Sequence, residues 1–190
     1  ADPHVHQAAA DQFGLARFLQ ADRDIGLAHR KVEQPFLEHQ VDLEILPGVS
    51  ASLDTAAQAG APLGHDFCVM SLSDNLKPWS IIEKRLDLAS QADLALAFYN
   101  PISRSRPWQL GRALEIVALH RTPQTPVVLG RDIGRPGQTL RTTTMGQLTP
   151  EQVDMRTMVL IGSSTTCVFP RAGGGDWVYT PRWYGEKPAC

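Results

Sequence analysis

Apolar and polar residues recur with two different periods along most of the chain. Three short apolar runs, at residues 67–72, 93–99 and 126–130, predict buried β-strands. Between them, residues 79–91 and 106–120 carry apolar side chains at the spacing of an amphipathic helix. A strand–helix–strand–helix–strand order needs crossover connections, so these three strands are predicted to run parallel.

Weaker patterns flank this unit. Residues 41–46 alternate apolar and acidic side chains up to a Pro-Gly turn, as a strand does, and a helix capped by Ser50 or Ser52 follows and ends at Gly60. After residue 138 the helical patterns stop, and further strands are predicted at 139–145, 158–162 and 177–180. The sequence therefore predicts an α/β fold with a mixed, mostly parallel sheet flanked by helices.

Residues 1–45 differ from the rest of the chain in charge. They hold four basic and eight acidic side chains, whereas the remainder holds 14 basic and 12 acidic ones. Helical spacing is visible at residues 8–21 and, interrupted by Pro35, at 27–39. We predict a short helical or irregular N-terminal segment at 1–45, truncated or divergent, and one domain at 46–190.

Composition excludes several classes of protein. Hydrophobic residues make up 43% and charged residues 20% of the 190 positions, which is typical of a globular chain. No apolar run approaches the roughly 20 residues that span a bilayer, and a net charge of −2 gives no general attraction to nucleic acid. The three cysteines are widely spaced without a Cys-x-x-Cys pair, so we predict reduced thiols, no metal site and a cytoplasmic location.

Polar residues cluster directly after the predicted strands, where open α/β sheets bind their ligands. The first such loop reads Ser71-Leu-Ser-Asp-Asn-Leu-Lys-Pro-Trp79, and the second reads Tyr99-Asn-Pro-Ile-Ser-Arg-Ser-Arg106. An aromatic ring, an amide and two arginines in the second loop suggest recognition of a planar, anionic ligand. Helix capping and a solvated surface loop are the alternatives, and the residues alone leave them open.

A third loop, Gly130-Arg-Asp-Ile-Gly-Arg-Pro-Gly137, is rich in glycine and arginine. It lacks the Gly-Lys-Ser/Thr ending of a phosphate-binding P-loop. The chain also contains neither Gly-x-Gly-x-x-Gly nor Gly-x-Ser-x-Gly. The usual signs of dinucleotide binding and of α/β-hydrolase chemistry are therefore missing.

The order of motifs along residues 45 to about 184 resembles a known family. The motifs are Leu46-Pro-Gly-Val-Ser-Ala51, Gly64-His-Asp-Phe-Cys-Val-Met-Ser-Leu-Ser-Asp74 with Pro78-Trp79, Tyr99-Asn-Pro101 with Ser103-Arg104, Trp108-Gln-Leu110, and Asp154-Met-Arg-Thr157 through Ile161-Gly-Ser163. Together they resemble the precorrin-3B C17-methyltransferases of vitamin B12 synthesis, which belong to the tetrapyrrole methylase superfamily.

The resemblance implies a fold, a reaction and a cofactor. In that family two α/β lobes hold S-adenosyl-L-methionine between them, and its methyl group passes to C17 of precorrin-3B with ring contraction, which gives precorrin-4. The chain is then expected to be the C-terminal lobe and linker of a transferase of cobalamin and porphyrin biosynthesis. This transferase is expected to be a homodimer that binds a small-molecule tetrapyrrole as its substrate. Residues 1–45 contain neither the family's Gly-x-Gly-Pro-Gly loop nor its Ser-Gly-Asp-x-Gly segment.

Site residues follow from the resemblance and from the loops. The resemblance implies cofactor binding by Ser50, Ala51, Tyr99, Asn100, Pro101, Asp132, Thr157 and Met158. The loops offer cations for the carboxylates of the substrate, namely Lys77, Arg104, Arg106, Arg131 and Arg135. Because ring contraction moves a proton, Asp74 and His65 are the candidate catalytic acid–base groups. No metal is required.

Two other hypotheses stay open at this point. The chain could be a non-catalytic lobe or fragment that binds tetrapyrroles or assists assembly, unless a second copy supplies the missing Asp-containing loop across a dimer. It could also be a sister methylase that acts at another carbon of the macrocycle. The mass of the product and the position of its new methyl group distinguish a sister methylase from a C17-methyltransferase.

Overall fold

A computed structural model describes residues 47–182 of the chain. The chain forms two compact units, residues 1–50 and 51–190, and nearly all described residues belong to the second unit. The helices expected at 8–21 and 27–39, the strand expected at 41–46 and the expected domain boundary lie outside the described residues. No helix of the described part is long and apolar enough to cross a membrane.

Three helices and eight strands make up the described part of the second unit. In chain order they are α1 (Ala51–Ala59), β1 (Gly60–Ala61), β2 (Phe67–Ser71), α2 (Trp79–Gln91), β3 (Ala95–Tyr99), α3 (Gln109–Ala118), β4 (Pro126–Arg131), β5 (Thr139–Thr144), a single 3-10 turn (Pro150–Gln152), β6 (Thr157–Ile161), β7 (Cys167–Pro170) and β8 (Asp176–Tyr179). Each helix and strand predicted beyond residue 50 is present, whereas β1 and β7 were not predicted.

The five strands of the main sheet are arranged in the order β2-β3-β6-β4-β5. As predicted, β2, β3 and β4 point in one direction and the sheet is mixed. Only β2 and β3 are parallel neighbours, since β6 lies antiparallel between β3 and β4 and β5 lies antiparallel to β4. The pairings in this sheet are therefore mostly antiparallel, which corrects the expectation of a mostly parallel sheet. All five residues of β6 are buried, so this late strand takes a central position.

The two faces of the main sheet are covered differently. Helices α2 and α3 pack large side chains such as Leu86 and Leu110 against Phe98 on one face. On the other face, the small side chains of Ala56 and Ala59 in α1 pack against Ala97, Val128 and Leu160 of the central strands. Small side chains let α1 lie close to the sheet, so its N-terminus is held near the ends of the strands.

Gly130 in β4 permits this close approach of α1. A Cβ atom at Gly130 would lie 2.5 Å from the Oγ1 atom and 2.6 Å from the Cγ2 atom of Thr55, which is fully buried in α1. It would also lie 2.8 Å from Ile133. Since all three atoms belong to packed side chains, Gly130 has no space for even one methyl group.

A buried arginine connects the segments at the end of the sheet where β3 begins and β6 ends. The guanidinium of Arg121 donates hydrogen bonds to the backbone carbonyls of Ser90, Leu94 and Gly162 at 2.8, 2.9 and 3.0 Å. It also lies 3.2 Å from the carboxylate of Asp93, and its side chain is only 2% exposed. Burial lowers the pKa of Arg121, and the negative charge of Asp93 opposes this effect.

A smaller sheet of three short strands, in the order β1-β8-β7, completes the unit. Its hairpin turns through three consecutive glycines with positive φ, Gly173 to Gly175, and the guanidinium of Arg171 stacks 4.2 Å over the ring of Trp177. Cys167 in β7 is half-buried and disulfide-bonded, which corrects the expectation of a reduced thiol there. Cys68 in β2 is a free thiol, as expected.

Gly130→Ala should destabilise the fold by about 1–3 kcal/mol, because the added methyl group must displace Thr55 or Ile133. Urea denaturation of the whole chain measures this change. The matched control is Gly111→Ala in α3, where the added methyl group would meet only Pro150 at 3.8 Å. This control should be neutral or stabilising by up to about 1 kcal/mol. Equal stability of the two variants would contradict the assigned packing of α1.

Candidate functional site

Strands β2, β3 and β4 end at the same side of the main sheet, which we call the carboxyl edge. Pairing fixes this arrangement, since Ser71 lies opposite Tyr99 and Arg131 lies opposite both Thr157 and Thr139. The loops that follow β2, β3 and β4 therefore leave the sheet side by side. Such an edge is where α/β sheets place their ligand sites.

Most of the predicted site residues lie at the carboxyl edge. The strand ends supply Tyr99, Asn100, Pro101, Arg131, Asp132, Thr157 and Met158, and the loops supply Asp74, Lys77, Arg104, Arg106 and Arg135. Ala51 begins α1, whose first turn is hydrogen-bonded to the side chain of Tyr99. Ser50 belongs to the first unit and is half-buried. The described structure thus brings together residues that are far apart in sequence.

His65 is the exception. It lies in the turn between β1 and β2, at the edge where β2 begins, whereas Asp74 follows the end of β2. A strand of five residues spans roughly 16 Å at about 3.3 Å per residue. The two candidate acid–base groups are therefore at opposite ends of β2 and are not brought together.

Two residues at the carboxyl edge have left-handed backbone conformations. Asn100 follows β3 with a φ of 48°, and Asp132 follows β4 with a φ of 51°. Asn and Asp tolerate this region better than other residues with a Cβ atom, but it still costs on the order of 1–2 kcal/mol. Strain of this kind is typical of sites where the backbone must turn sharply to present polar groups to a ligand.

Hydrogen bonds fix the side chains that end β2 and β3. The amide of Asn100 donates to the hydroxyl of Ser71 at 3.2 Å, which also accepts the backbone N–H of Ser73. The hydroxyl of Tyr99 accepts the backbone N–H of Ser52 at 3.2 Å and lies 3.1 Å from the Ser52 hydroxyl. Tyr99 thereby satisfies one of the free donors at the start of α1 and fixes that helix over the carboxyl edge.

A network of four charges spans the ends of β4 and β6. The guanidinium of Arg131 lies 2.8 Å from the carboxylate of Asp154 and 3.0 Å from that of Asp132. Arg156 lies 3.4 Å from Asp132, and the hydroxyl of Thr157 donates to Asp154 at 2.8 Å. The hydrogen bond to Asp154 raises the pKa of Arg131. Arg131, predicted to hold the substrate, is therefore already paired with two carboxylates.

Asp74 and Arg106 also bind each other. Their side chains are 2.5 Å apart, and each is about a quarter exposed. The Asp74 carboxylate also accepts the amide of Gln109 at 2.9 Å, and Arg106 also donates to Asn75. Gln109 is 1% exposed. This cluster, the Asp74 clamp, ties the loop after β2 to the loop after β3.

Several residues of this edge were not selected from the sequence. They are Ser52, Ser71, Gln109, Asp154 and Arg156. Ser71 ends β2, so the rule that ligands bind after strands applies to it, whereas Asp154 precedes β6 and that rule does not select it. Gln109 is a buried amide in an amphipathic helix, and no spacing in the sequence distinguishes it from a surface residue. Within residues 47–182 no group of three His, Cys, Asp or Glu side chains could hold a metal ion.

Comparison with known proteins gives the geometry a context. The family model of Tetrapyrrole (Corrin/Porphyrin) Methylases matches residues 28–149, which is more than half of the chain. The chain belongs to the tetrapyrrole methylase family. The matched residues include β2, β3, β4 and β5 of the main sheet and the loops that follow β2, β3 and β4.

Individual relatives are similar over most of this chain. A precorrin-3B C(17)-methyltransferase from Sinorhizobium sp is 51% identical over 144 residues, which are 76% of this chain and 57% of that protein. A probable cobalt-factor III C(17)-methyltransferase from Salmonella typhimurium is 44% identical over 144 residues, 76% of this chain and 58% of its own length. The chain thus spans little more than half the length of these relatives.

Solved structures agree with the fold. The crystal structure of the methyltransferase CobJ superposes with a TM-score of 0.71 at 46% identity, over 80% of this chain and 62% of that one. The cobalt precorrin-4 methyltransferase CbiF shares the fold alone, with a TM-score of 0.53 at 22% identity over 72% of this chain and 59% of its own.

The Asp74 clamp should be measurable by a double-mutant cycle. Asp74→Asn and Arg106→Gln are expected to couple by about 1 kcal/mol in urea denaturation, because both partners are largely shielded and the ion pair is short. The matched control is the exposed pair Arg112 and Glu115 on α3, whose coupling should be smaller. Purely additive effects of Asp74→Asn and Arg106→Gln would contradict the clamp.

Proposed function

We propose that this chain is the C-terminal lobe of a precorrin-3B C17-methyltransferase, with its carboxyl edge contributing to the site for S-adenosyl-L-methionine. The observation that carries the proposal is the convergence of Asn100, Asp132 and Thr157 at one sheet edge, in a chain 46% identical to CobJ over 80% of its length. The names of the relatives supply the transfer of a methyl group to C17 of the macrocycle. The resemblance of the sequence adds ring contraction to precorrin-4.

The residues of the carboxyl edge fit this cofactor in their chemistry. S-adenosyl-L-methionine combines an apolar, aromatic base with a zwitterionic amino-acid end. The edge offers buried apolar surface at Pro101 and Met158, an amide at Asn100, and charges of both signs around Asp132 and Arg131. A site of mixed polarity with balanced charge is suited to such a ligand, because neither end is left without a partner.

The bound cofactor would supply an electrophilic methyl group on a sulfonium. Catalysis of methyl transfer is then mainly a matter of position, which rigid residues achieve. Tyr99 and Asn100 are held by Ser52 and Ser71, so their polar groups need little reorganisation when a ligand arrives. Buried Met158 at the start of β6 limits the access of water to this edge.

The ion pairs among the described residues show which cations are available to bind the carboxylates of a tetrapyrrole. Arg106 and Arg131 are engaged with carboxylates of the chain itself. Lys77 and Arg104 form no ion pair with any residue between 47 and 182, so we propose them as the first contacts for acetate or propionate arms. Arg135 is exposed on the loop after β4 and is a further candidate. An Asp74 held by Arg106 is better suited to positioning than to proton transfer.

The homodimer and the cytoplasmic location are part of this proposal. The homodimer rests on the resemblance of the sequence, and the location rests on the spacing of the cysteines. The proposed domain division at residues 45 and 46 rests on the difference in charge and on the extent of the resemblance. The mass of the chain in solution tests the dimer.

The proposal predicts that the chain binds S-adenosylhomocysteine, the product of the cofactor, with micromolar affinity, about −8 kcal/mol. Asn100→Gly should weaken this binding about tenfold, because it removes the amide but keeps the left-handed backbone. Asn100→Leu should weaken binding at least as much. Isothermal titration calorimetry measures all three proteins.

The matched control is Arg171→Ala in the hairpin of the small sheet, which should bind like the parent chain. Equal losses in Asn100→Gly and Arg171→Ala would show that the site is misplaced. A folded chain that binds no S-adenosylhomocysteine but still binds tetrapyrroles would favour the alternative function, a tetrapyrrole-binding or assembly module.

A further inference from the structure

A pocket lies beside β2, the edge strand of the main sheet, where the loop to α2 crosses it. It is lined by Val69, Met70, Ser71, Lys77, Ile82 and Arg85. Its volume is about 90 Å³, several times the roughly 10–15 Å³ that one water molecule needs. The pocket is therefore large enough for a small side group of a ligand.

Two cations share this pocket without an acidic partner. Neither Lys77 nor Arg85 forms an ion pair with any residue in the described part of the chain. The pKa of Lys77 is lowered by burial and further by the charge of Arg85, and Arg85 also acts on the nearby thiol of Cys68. The two positive charges therefore repel each other, and an anion between them would relieve that repulsion.

Apolar side chains form part of the pocket wall, beside the polar groups of Ser71, Lys77 and Arg85. Met70 and Ile82 are buried, and Val69 is 45% exposed on the edge strand. Methylene groups can pack against the exposed part of Val69 while the two cations hold an anion, so the lining can accept a short aliphatic arm that ends in a carboxylate.

Ser71 connects the pocket to the carboxyl edge. Its hydroxyl lines the pocket and accepts the amide hydrogen of Asn100 at 3.2 Å. A molecule bound at the carboxyl edge could therefore extend one arm along Ser71 into the pocket. Arg85 does not follow a strand, so the rule that selected the other cations from the sequence did not select it.

We infer that this pocket binds a carboxylate-bearing arm of the tetrapyrrole substrate, with Lys77 and Arg85 on the carboxylate and Val69, Met70 and Ile82 against its methylene groups. The inference rests on the proposed function for the identity of the ligand. It adds Arg85 as a specificity-determining residue and assigns Lys77 a defined role.

The test uses uroporphyrin III, a stable fluorescent tetrapyrrole with acetate and propionate arms, titrated against the whole chain. Lys77→Met and Arg85→Gln should each weaken binding about tenfold, because each removes a charge-assisted contact. Added salt should weaken binding by the parent chain more than by the double variant. Circular dichroism verifies that each variant is folded.

Matched controls are Lys84→Met and Arg141→Gln. Lys84 is an exposed lysine on α2 outside the pocket, and Arg141 is an exposed arginine on β5, the opposite edge strand of the same sheet. Both controls should bind uroporphyrin III like the parent chain. Equal losses in the controls and the pocket variants would overturn the inference, since general charge would then explain the binding.

Binding of S-adenosylhomocysteine to the same variants separates this inference from the proposed function. If the parent chain binds both ligands and the pocket variants lose only uroporphyrin III, both proposals are supported. If the pocket variants bind uroporphyrin III normally, or the parent chain does not bind it, the pocket assignment is wrong while cofactor binding can still stand. If the parent chain binds uroporphyrin III but not S-adenosylhomocysteine, and the pocket variants lose uroporphyrin III, the pocket assignment is supported and the proposed cofactor site is not.

Discussion

The buried guanidinium of Arg121 is the interaction on which the geometry of the site depends. It joins the end of α2, the start of β3 and the residue after β6 through Ser90, Leu94 and Gly162. Transferring a charged group out of water is unfavourable unless all its donors are satisfied, so only one arrangement of these segments is acceptable. A slip of β6 by one residue would move Gly162 away from Arg121. It would also turn every side chain of β6 to the opposite face of the sheet.

That fixed register has its consequence at the other edge of the sheet. Because Leu96 pairs with Ile161 near Arg121, the far end of β6 is fixed beside β4, where Thr157 lies opposite Arg131. Strain and charge are then concentrated where the chain turns, in the left-handed Asn100 and Asp132 and in the ion pairs around Asp154. One edge stabilises the register, and the other presents polar groups in fixed positions.

The sequence predicted the parts of this arrangement that depend on local pattern. Apolar runs located β2, β3 and β4, and the rule that ligands bind after strands pointed to the loops that hold Asn100 and Arg131. The resemblance assigned Asn100 and Asp132 to the cofactor. The central place of β6 could not be predicted, because a buried strand looks the same wherever it pairs. The pairing of Asp74 with Arg106 was also hidden, since they are 32 residues apart and meet only through the order of the strands.

The distribution of charge at the carboxyl edge distinguishes residues that build the site from residues available to a ligand. Asp132, Asp154 and Arg131 compensate one another, as do Asp74 and Arg106, and such paired groups have little left to offer an incoming carboxylate. Lys77 and Arg85 keep their charges uncompensated within the described part of the chain, although repulsion between them is unfavourable. A fold that satisfies Arg121 with backbone carbonyls and a carboxylate can neutralise its own cations. Leaving two of them unpaired in one pocket is therefore best explained by an anion that arrives with the ligand.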